Sequence, residues 1–284
     1  MIPTKELFIV HLIIQVSCLL LMGLGLLFPT ASYEGATRGL TLFLTVLIPY
    51  LLPFLTLSKL FMFLHSKKDK PIRPLWLYIL SSIGGYPTGA ALLKQTMQRQ
   101  TIQRPGLLFS ALQFPSPMFL IGFIGAGIFY DIRLGITFFL LLHVINGTLF
   151  FYWVKKQSTI AGVVQKAKRP TSSFFLSLAE TLTTIAVSVI VSSACAEVIA
   201  EMFSFSGTGR VLSYGLLELS SGIGLLNTSV EDVYLCAFFL GFSGMSVHLQ
   251  NILLLRGEAI SFIPYWFSRL LTILVLWLFI YLFI

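Results

Sequence analysis

The sequence predicts an all-α membrane protein of about seven transmembrane helices plus two re-entrant helical hairpins, arranged as an inverted repeat. Three observations lead there. Of its 284 residues, 56% are hydrophobic and only 11% charged, against roughly 25% charged in a soluble domain. The apolar residues fall into nine segments, 7–28, 39–64, 75–93, 105–130, 134–154, 173–203, 211–226, 233–255 and 264–284, most of them near the ~20 residues that cross a ~30 Å hydrocarbon core. Two segments, the third and the seventh, are short and rich in glycine and serine.

The first segment follows a single Lys5 and has 22 residues, longer than the ~7–15-residue core of a cleavable signal peptide, so it reads as a retained span. The third segment lies between "HSKKDKPIRP" (65–74) and "KQTMQRQTIQRP" (94–105). Both flanks are basic, and basic flanks stay in the cytoplasm. A segment that begins and ends on one side does not cross. Each of its arms has about nine residues, or ~13 Å of helix, which reaches the midplane and returns. "GGYPTGA" (84–90) is then the tip, where glycine and proline permit the reversal. Lipid cannot satisfy non-helical N–H and C=O groups at that depth, so a turn there implies a polar cavity.

Segment 105–130 goes out, turns at "YDIR" (130–133), and 134–154 returns to the basic stretch "KKQSTIAGVVQKAKR" (155–169). Segment 173–203 exits again, and 211–226 enters from outside as the second hairpin. Segment 233–255 comes back to Arg256, and 264–284 leaves the C-terminus outside. About fifteen of the nineteen lysines and arginines fall on the inner side, with Arg38, Arg133 and Arg210 outside and Arg269 inside the last span. The net charge of +8 therefore speaks of orientation and anionic lipid, with no nucleic-acid partner implied.

This layout divides the chain into an N-terminal transmembrane helix (1–36), a first repeat (37–155), a basic cytoplasmic linker (156–171) and a second repeat (172–284). Each repeat has the order span, hairpin, span, span, with opposite entry, as in many secondary transporters. In each, the span after the hairpin is interrupted, at "FPSPMF" (114–119) and at "GFSGMSVHLQN" (241–251). Paired interruptions are the best sequence pointer to a transporter's binding site.

The candidate substrate-binding residues are accordingly Gly84, Gly85, Tyr86, Pro87, Thr88 and Gly89 in the first tip and Gln113, Ser116 and Pro117 in the first interruption. Glu218, Ser220, Ser221 and Gly222 belong to the second tip, and Ser243, Gly244 and His248 to the second interruption. Ser116-Pro117 is a good helix start, and Thr88, Ser220 or Ser221, and Ser243 are suited to cap the other half-helices. The same residue types also serve membrane helices as packing and kink residues. Four half-helix N-termini at mid-membrane would suit an anion, and no arginine is expected beside any of the four breaks. Glu218 conflicts with an anion unless it is protonated or accompanied by a cation (H+ or Na+) when substrate is bound. The simpler role is a hydrogen-bonded glutamate holding the tip.

Several motifs carry less. Cys18, Cys195 and Cys236 each sit in an apolar segment and form no CxxC pair, so they read as packing residues. Lys59 and Glu180 read as snorkelling or structural, and His11, His65 and His143 as ordinary membrane histidines. "NGT" (146–148) and "NTS" (227–229) fit a glycosylation pattern and are discounted, the first because it lies in an apolar span. With no HExxH, Walker loop or Cys/His cluster, no metal or cofactor is expected. "GFSG" (241–244) matches the GxSG pattern of intramembrane serine proteases, but the last span holds no histidine to act as base, and no catalytic activity is expected.

"LLPFLTLSKL" (51–60), "GGYPTGA" (84–90), "FPSPMFLIGFIGAG" (114–127), "GLLELSSGI" (215–223) and "GFSGMSVHLQ" (241–250) together resemble the sporulation integral membrane proteins of endospore-forming bacteria, within the wider group bearing a nucleoside-recognition Gate domain. The resemblance covers nearly the whole chain. It implies a Gate-like, nucleoside-transporter-like fold and a multi-pass protein of the bacterial cell membrane, specifically the outer forespore membrane. It also implies movement of a small anionic substrate, dipicolinate, out of the mother cell. At "QFPSP" (113–117) the chain departs from the small polar residues expected before the proline. A carrier of nucleosides or another small organic anion is the main alternative, and a non-transporting spore-envelope protein the alternative of another class. Oligomeric state, flux direction and ion coupling are not legible in the sequence.

Overall fold

The computed structural model describes residues 19–66, 71–157 and 174–283, and every element among them is helical. Most of segment 7–28 and nearly all of the basic linker 156–171 lie outside the described residues. Among the described residues, five helices are long and apolar enough to cross a membrane: Pro29–His65, Ile132–Lys155, Phe174–Met202, Val230–Leu254 and Ile263–Phe283.

The first of these is a single rod. Helix α1 (Pro29–Leu42) runs through a π-helical turn (Phe43–Leu47) into α2 (Ile48–Ser66). Pro29 stands in the first turn, where a proline gives up no helical hydrogen bond, and the preceding helical stretch is interrupted just before it at Phe28. The boundary expected between residues 36 and 37 therefore falls inside a helix. The stretch "TASYEGATRG" (30–39) has the polar composition of a loop, but Ala31, Gly35 and Gly39 form a buried stripe of small residues at four-residue spacing. That stripe lies against α7 (Phe174–Met202). A Cβ at Gly35 would stand 2.6 Å from the Ser193 carbonyl, and one at Gly39 2.9 Å from Ile190 Cα. Close backbone approach through small residues is how helices gain contact where lipid is as apolar as leucine.

Between the long helices lie the expected irregular elements. Helices α3 (Pro74–Gly84) and α4 (Tyr86–Met97) are joined by Gly85 alone, at φ +85°. Their outer ends meet: Gln100 Oε1 accepts from Ile72 N at 2.9 Å, and Gln100 Nε2 donates to Ile72 O at 3.1 Å. The segment thus returns to the place where it started. Helix α5 (Pro105–Ala111) stops before "QFPS" (113–116), and a π-helix (Met118–Ile128) continues toward α6 (Ile132–Lys155).

The second half repeats the order. After α7 come the two arms α8 (Gly207–Leu217) and α9 (Leu219–Ile223), joined by Glu218. A Cβ on Gly222 would collide with the backbone of Gly215, so these two glycines let the arms touch. Helix α10 (Val230–Phe242) breaks at Ser243, α11 (Gly244–Leu254) follows, and α12 (Ile263–Phe283) ends the described chain. Arg38 on α1 and Arg210 on α8 both pair with Glu197 on α7, at 3.1 and 2.5 Å. These are two of the three arginines expected outside, and their shared partner sets them at one level. Lys59 is buried, its Nζ donating to Ser177 O and Oγ at 2.7 and 2.8 Å, which suits a structural role.

Candidate functional site

The four breaks meet. The tip of α3–α4 contributes Tyr86 and Pro87, the first interruption Pro115 and Ser116, the second tip Glu218 and Ser220, and α11 Ser246 and Gln250, all to the wall of one central cavity. Leu47 and Leu51 from the first rod and Ile185 and Val189 from α7 close its sides. Its volume is about 40 Å³, enough for roughly three water molecules. A ring-bearing solute needs the cavity to widen.

Each tip is made by local chemistry, not always the chemistry expected. Ser116 does cap its helix: its Oγ accepts from Phe119 N at 3.2 Å. Thr88 does not cap; its hydroxyl donates back to Gly84 O at 2.9 Å, and the turn is made by Gly85, whose positive φ suits glycine. Gly89 is needed for a different reason, since a Cβ there would collide with the Leu112 carbonyl. At the second tip neither Ser220 nor Ser221 caps. Glu218 does, its Oε2 accepting from Ser221 N at 2.5 Å. The carboxylate therefore already serves the N–H groups that an incoming anion was expected to use. Ser221 instead sits with its Oγ 3.4 Å from Ser193 Oγ on α7. Ser243 makes no cap bond either, because it is itself left-handed at φ +80°, with Gly244 following at φ +68°.

Behind the cavity wall lies a continuous buried polar network, only part of which is legible in the sequence. Tyr86 OH donates to Leu240 O at 3.2 Å and accepts from Ser243 Oγ at 3.1 Å. Ser243 Oγ accepts from Arg269 Nη1 at 3.1 Å. The Arg269 guanidinium carbon lies 5.6 Å from the centre of the Tyr265 ring, within cation–π range. Tyr265 OH in turn lies 2.6 Å from His248 Nδ1 and accepts from Asn251 Nδ2 at 3.4 Å. Asn251 Nδ2 also donates to Gln113 Oε1 at 2.9 Å, and Gln113 O accepts from Asn146 Nδ2 at 2.7 Å. The first tip, both interruptions, α6 and α12 are joined in one network.

Gln113, Ser243 and His248 thus belong to this inner layer and not to the cavity wall, as do Asn146, Tyr265 and Arg269. The expectation that no arginine stands beside a break is overturned: Arg269, 1% exposed, bonds directly to Ser243, the residue at the second interruption. Its sequence position, 26 residues beyond Ser243 in an otherwise apolar helix, gives no sign of it. Asn146 is fully buried, which supports setting aside "NGT" as an acceptor. Among the described residues no histidine bonds to Ser243; its partners are Tyr86, Leu240 O and Arg269.

The network is incompletely satisfied. Arg269 Nε and Nη2, Gln113 Nε2, His248 Nε2, Asn251 Oδ1, Asn146 Oδ1 and Ser246 Oγ are buried and make no hydrogen bond. Buried polar groups in native proteins are nearly always paired, so a cluster of free ones just behind a cavity wall marks a place for a polar guest or water. Comparison with known protein families, characterised proteins and solved structures finds no match to this chain.

Proposed function

We propose that this chain is a multi-pass membrane transporter of a small organic anion and performs no covalent chemistry. The observation that carries the reading is the meeting of three backbone breaks, and of the helix α11 that starts at the fourth, at one cavity with polar groups in its wall. Irregular backbone is tolerated at membrane depth only where it lines such a cavity, and paired discontinuous helices are where secondary transporters bind their substrates.

In this reading the long helices and the two interrupted helices span the bilayer, while α3–α4 and α8–α9 enter and return. The hydrogen-bonded ends of the first hairpin support the return. The common order of elements in 29–155 and 174–283 supports two repeats of opposite entry.

The substrate we propose is dipicolinate, carried from the mother cell across the outer forespore membrane; this rests on the motif resemblance. The buried Arg269 favours an anion over the nucleoside that the Gate-type resemblance also permits. Full-length protein reconstituted into liposomes should take up labelled dipicolinate above empty vesicles. Uptake of nucleosides instead would replace the substrate, and uptake of neither would leave a non-transporting envelope protein.

A further inference from the structure

We infer that Arg269 is the receptor for a carboxylate of the transported solute, binding it side-on through Nε and Nη2. The inference rests on the anion-transporter reading and adds the residue that reads the charge.

Arg269 is a permanent cation, 1% exposed, on a membrane helix. The ion pairs formed by carboxylates of the described residues both involve Glu197, with Arg38 and Arg210. Arg269 has no such partner among them. Its Nη1 donates to Ser243 Oγ, and the Tyr265 ring supplements that bond. A buried charge without a counter-charge is costly, and such residues in membranes mark substrate or ion pathways.

The two unused nitrogens define the shape of the missing partner. Nε–H and Nη2–H lie along one edge of the planar guanidinium and point the same way, the fork that matches the two oxygens of a carboxylate. Nη1, which lies outside that edge, is the nitrogen already used for Ser243. A lone halide would have to share one acceptor between both N–H groups, and a neutral solute would leave the charge without a counter-charge.

The position connects the fork to the cavity. Tyr86 lines the cavity wall, and its phenol bonds to the same Ser243 hydroxyl that Arg269 holds. Arg269 is thus one side chain behind the wall, and movement of the first tip that withdraws Tyr86 opens the way to it. Ser246 Oγ, buried without a partner and part of the wall, supplies a further polar contact on that path.

The test uses the full chain in lipid nanodiscs and measures binding of pyridine-2,6-dicarboxylate, pyridine-2-carboxylate, benzoate and the uncharged pyridine-2,6-dicarboxamide. Wild type should bind carboxylates and not the diamide. Arg269→Lys keeps the charge but loses the fork and should weaken carboxylate binding about 30-fold, the scale of charge-assisted hydrogen bonds lost. Arg269→Gln should abolish the preference for carboxylate over amide. The inference is overturned if wild type binds no carboxylate, if it binds the diamide as tightly as the dicarboxylate, or if Arg269→Lys stays within twofold of wild type. The wild-type comparison decides even where a variant fails to fold. Arg269-dependent binding of benzoate without binding of the pyridine dicarboxylate upholds the inference and removes dipicolinate as the substrate.

Discussion

Tyr86 and Ser243, 157 residues apart, share a hydrogen bond of 3.1 Å inside the protein. It latches the tip of the first hairpin to the interruption of the second half, and Tyr86 adds a second bond to Leu240 O. Replacing Tyr86 by Phe keeps the ring and removes both bonds. The expected loss is about 1–2 kcal/mol of stability, read as a lower midpoint for unfolding in detergent. An unchanged midpoint would mean that the latch contributes nothing.

The small-residue stripe on α1 makes a steric prediction. Gly35→Val and Gly39→Val each place a branched side chain where even a Cβ falls within 2.9 Å of α7. Either substitution should cost on the order of 1–3 kcal/mol or more through overpacking and sharply reduce the yield of monodisperse protein. Gly23→Ala is the control, because nothing lies within 4 Å of the place its methyl group would occupy. Equal yields for all three variants would contradict the packing described.

Glu218 has a structural duty and a proposed functional one, and two substitutions separate them. Glu218→Ala removes the cap on α9 and should cost about 1 kcal/mol. Glu218→Gln retains an acceptor for Ser221 N and should stay folded. If Glu218 takes up a proton or sits beside a cation during transport, the Gln variant still binds dipicolinate, but its uptake into vesicles no longer depends on an imposed proton or sodium gradient. Retained gradient dependence in the variant, or none in wild type, would reduce Glu218 to its capping role.

Membrane topology follows from where the hairpin ends emerge. On a background lacking native cysteines, single cysteines at the exposed positions Arg73 and Thr101 should react with an impermeant thiol reagent from the cytoplasmic side only. Cysteines at the exposed Thr208 and Thr228 should react from the opposite side only. Labelling of Arg73 and Thr101 from different faces would turn the first hairpin into a full span.

The backbone is legible in the sequence, whereas the polar wiring is not. Gly84-Gly85, "FPSP" and "GFSG" announce breaks because glycine, proline and serine change what a helix can do locally, and the breaks stand at these residues. The caps differ from expectation because serine and threonine suit many sites. Which oxygen meets which N–H depends on a left-handed Ser243 and on a glutamate at the very turn. Gly35 and Gly39 are readable as a four-residue small-residue repeat, but the polar residues between and beside them, including Glu34, Thr37 and Arg38, mask the helix. Arg269 is beyond reach, since its meaning comes from Ser243 and Tyr265, and nothing in "WFSRLLTIL" (266–274) points to either.

Arg269 also bears on how the protein is made. It lies on the last described helix, so during synthesis Tyr86, Gln113 and Ser243 leave the ribosome before it does. An arginine opposes membrane entry by up to ~2.5–3.5 kcal/mol at a helix centre, while each leucine, isoleucine or phenylalanine favours entry by only ~0.3–0.6 kcal/mol. The dense apolar run after Arg269 can carry α12 into the bilayer, and the serine hydroxyl that receives the guanidinium is by then already in place. The central polar network is therefore closed only when α12 joins the helices made before it, and until then the inner layer still lacks its cation.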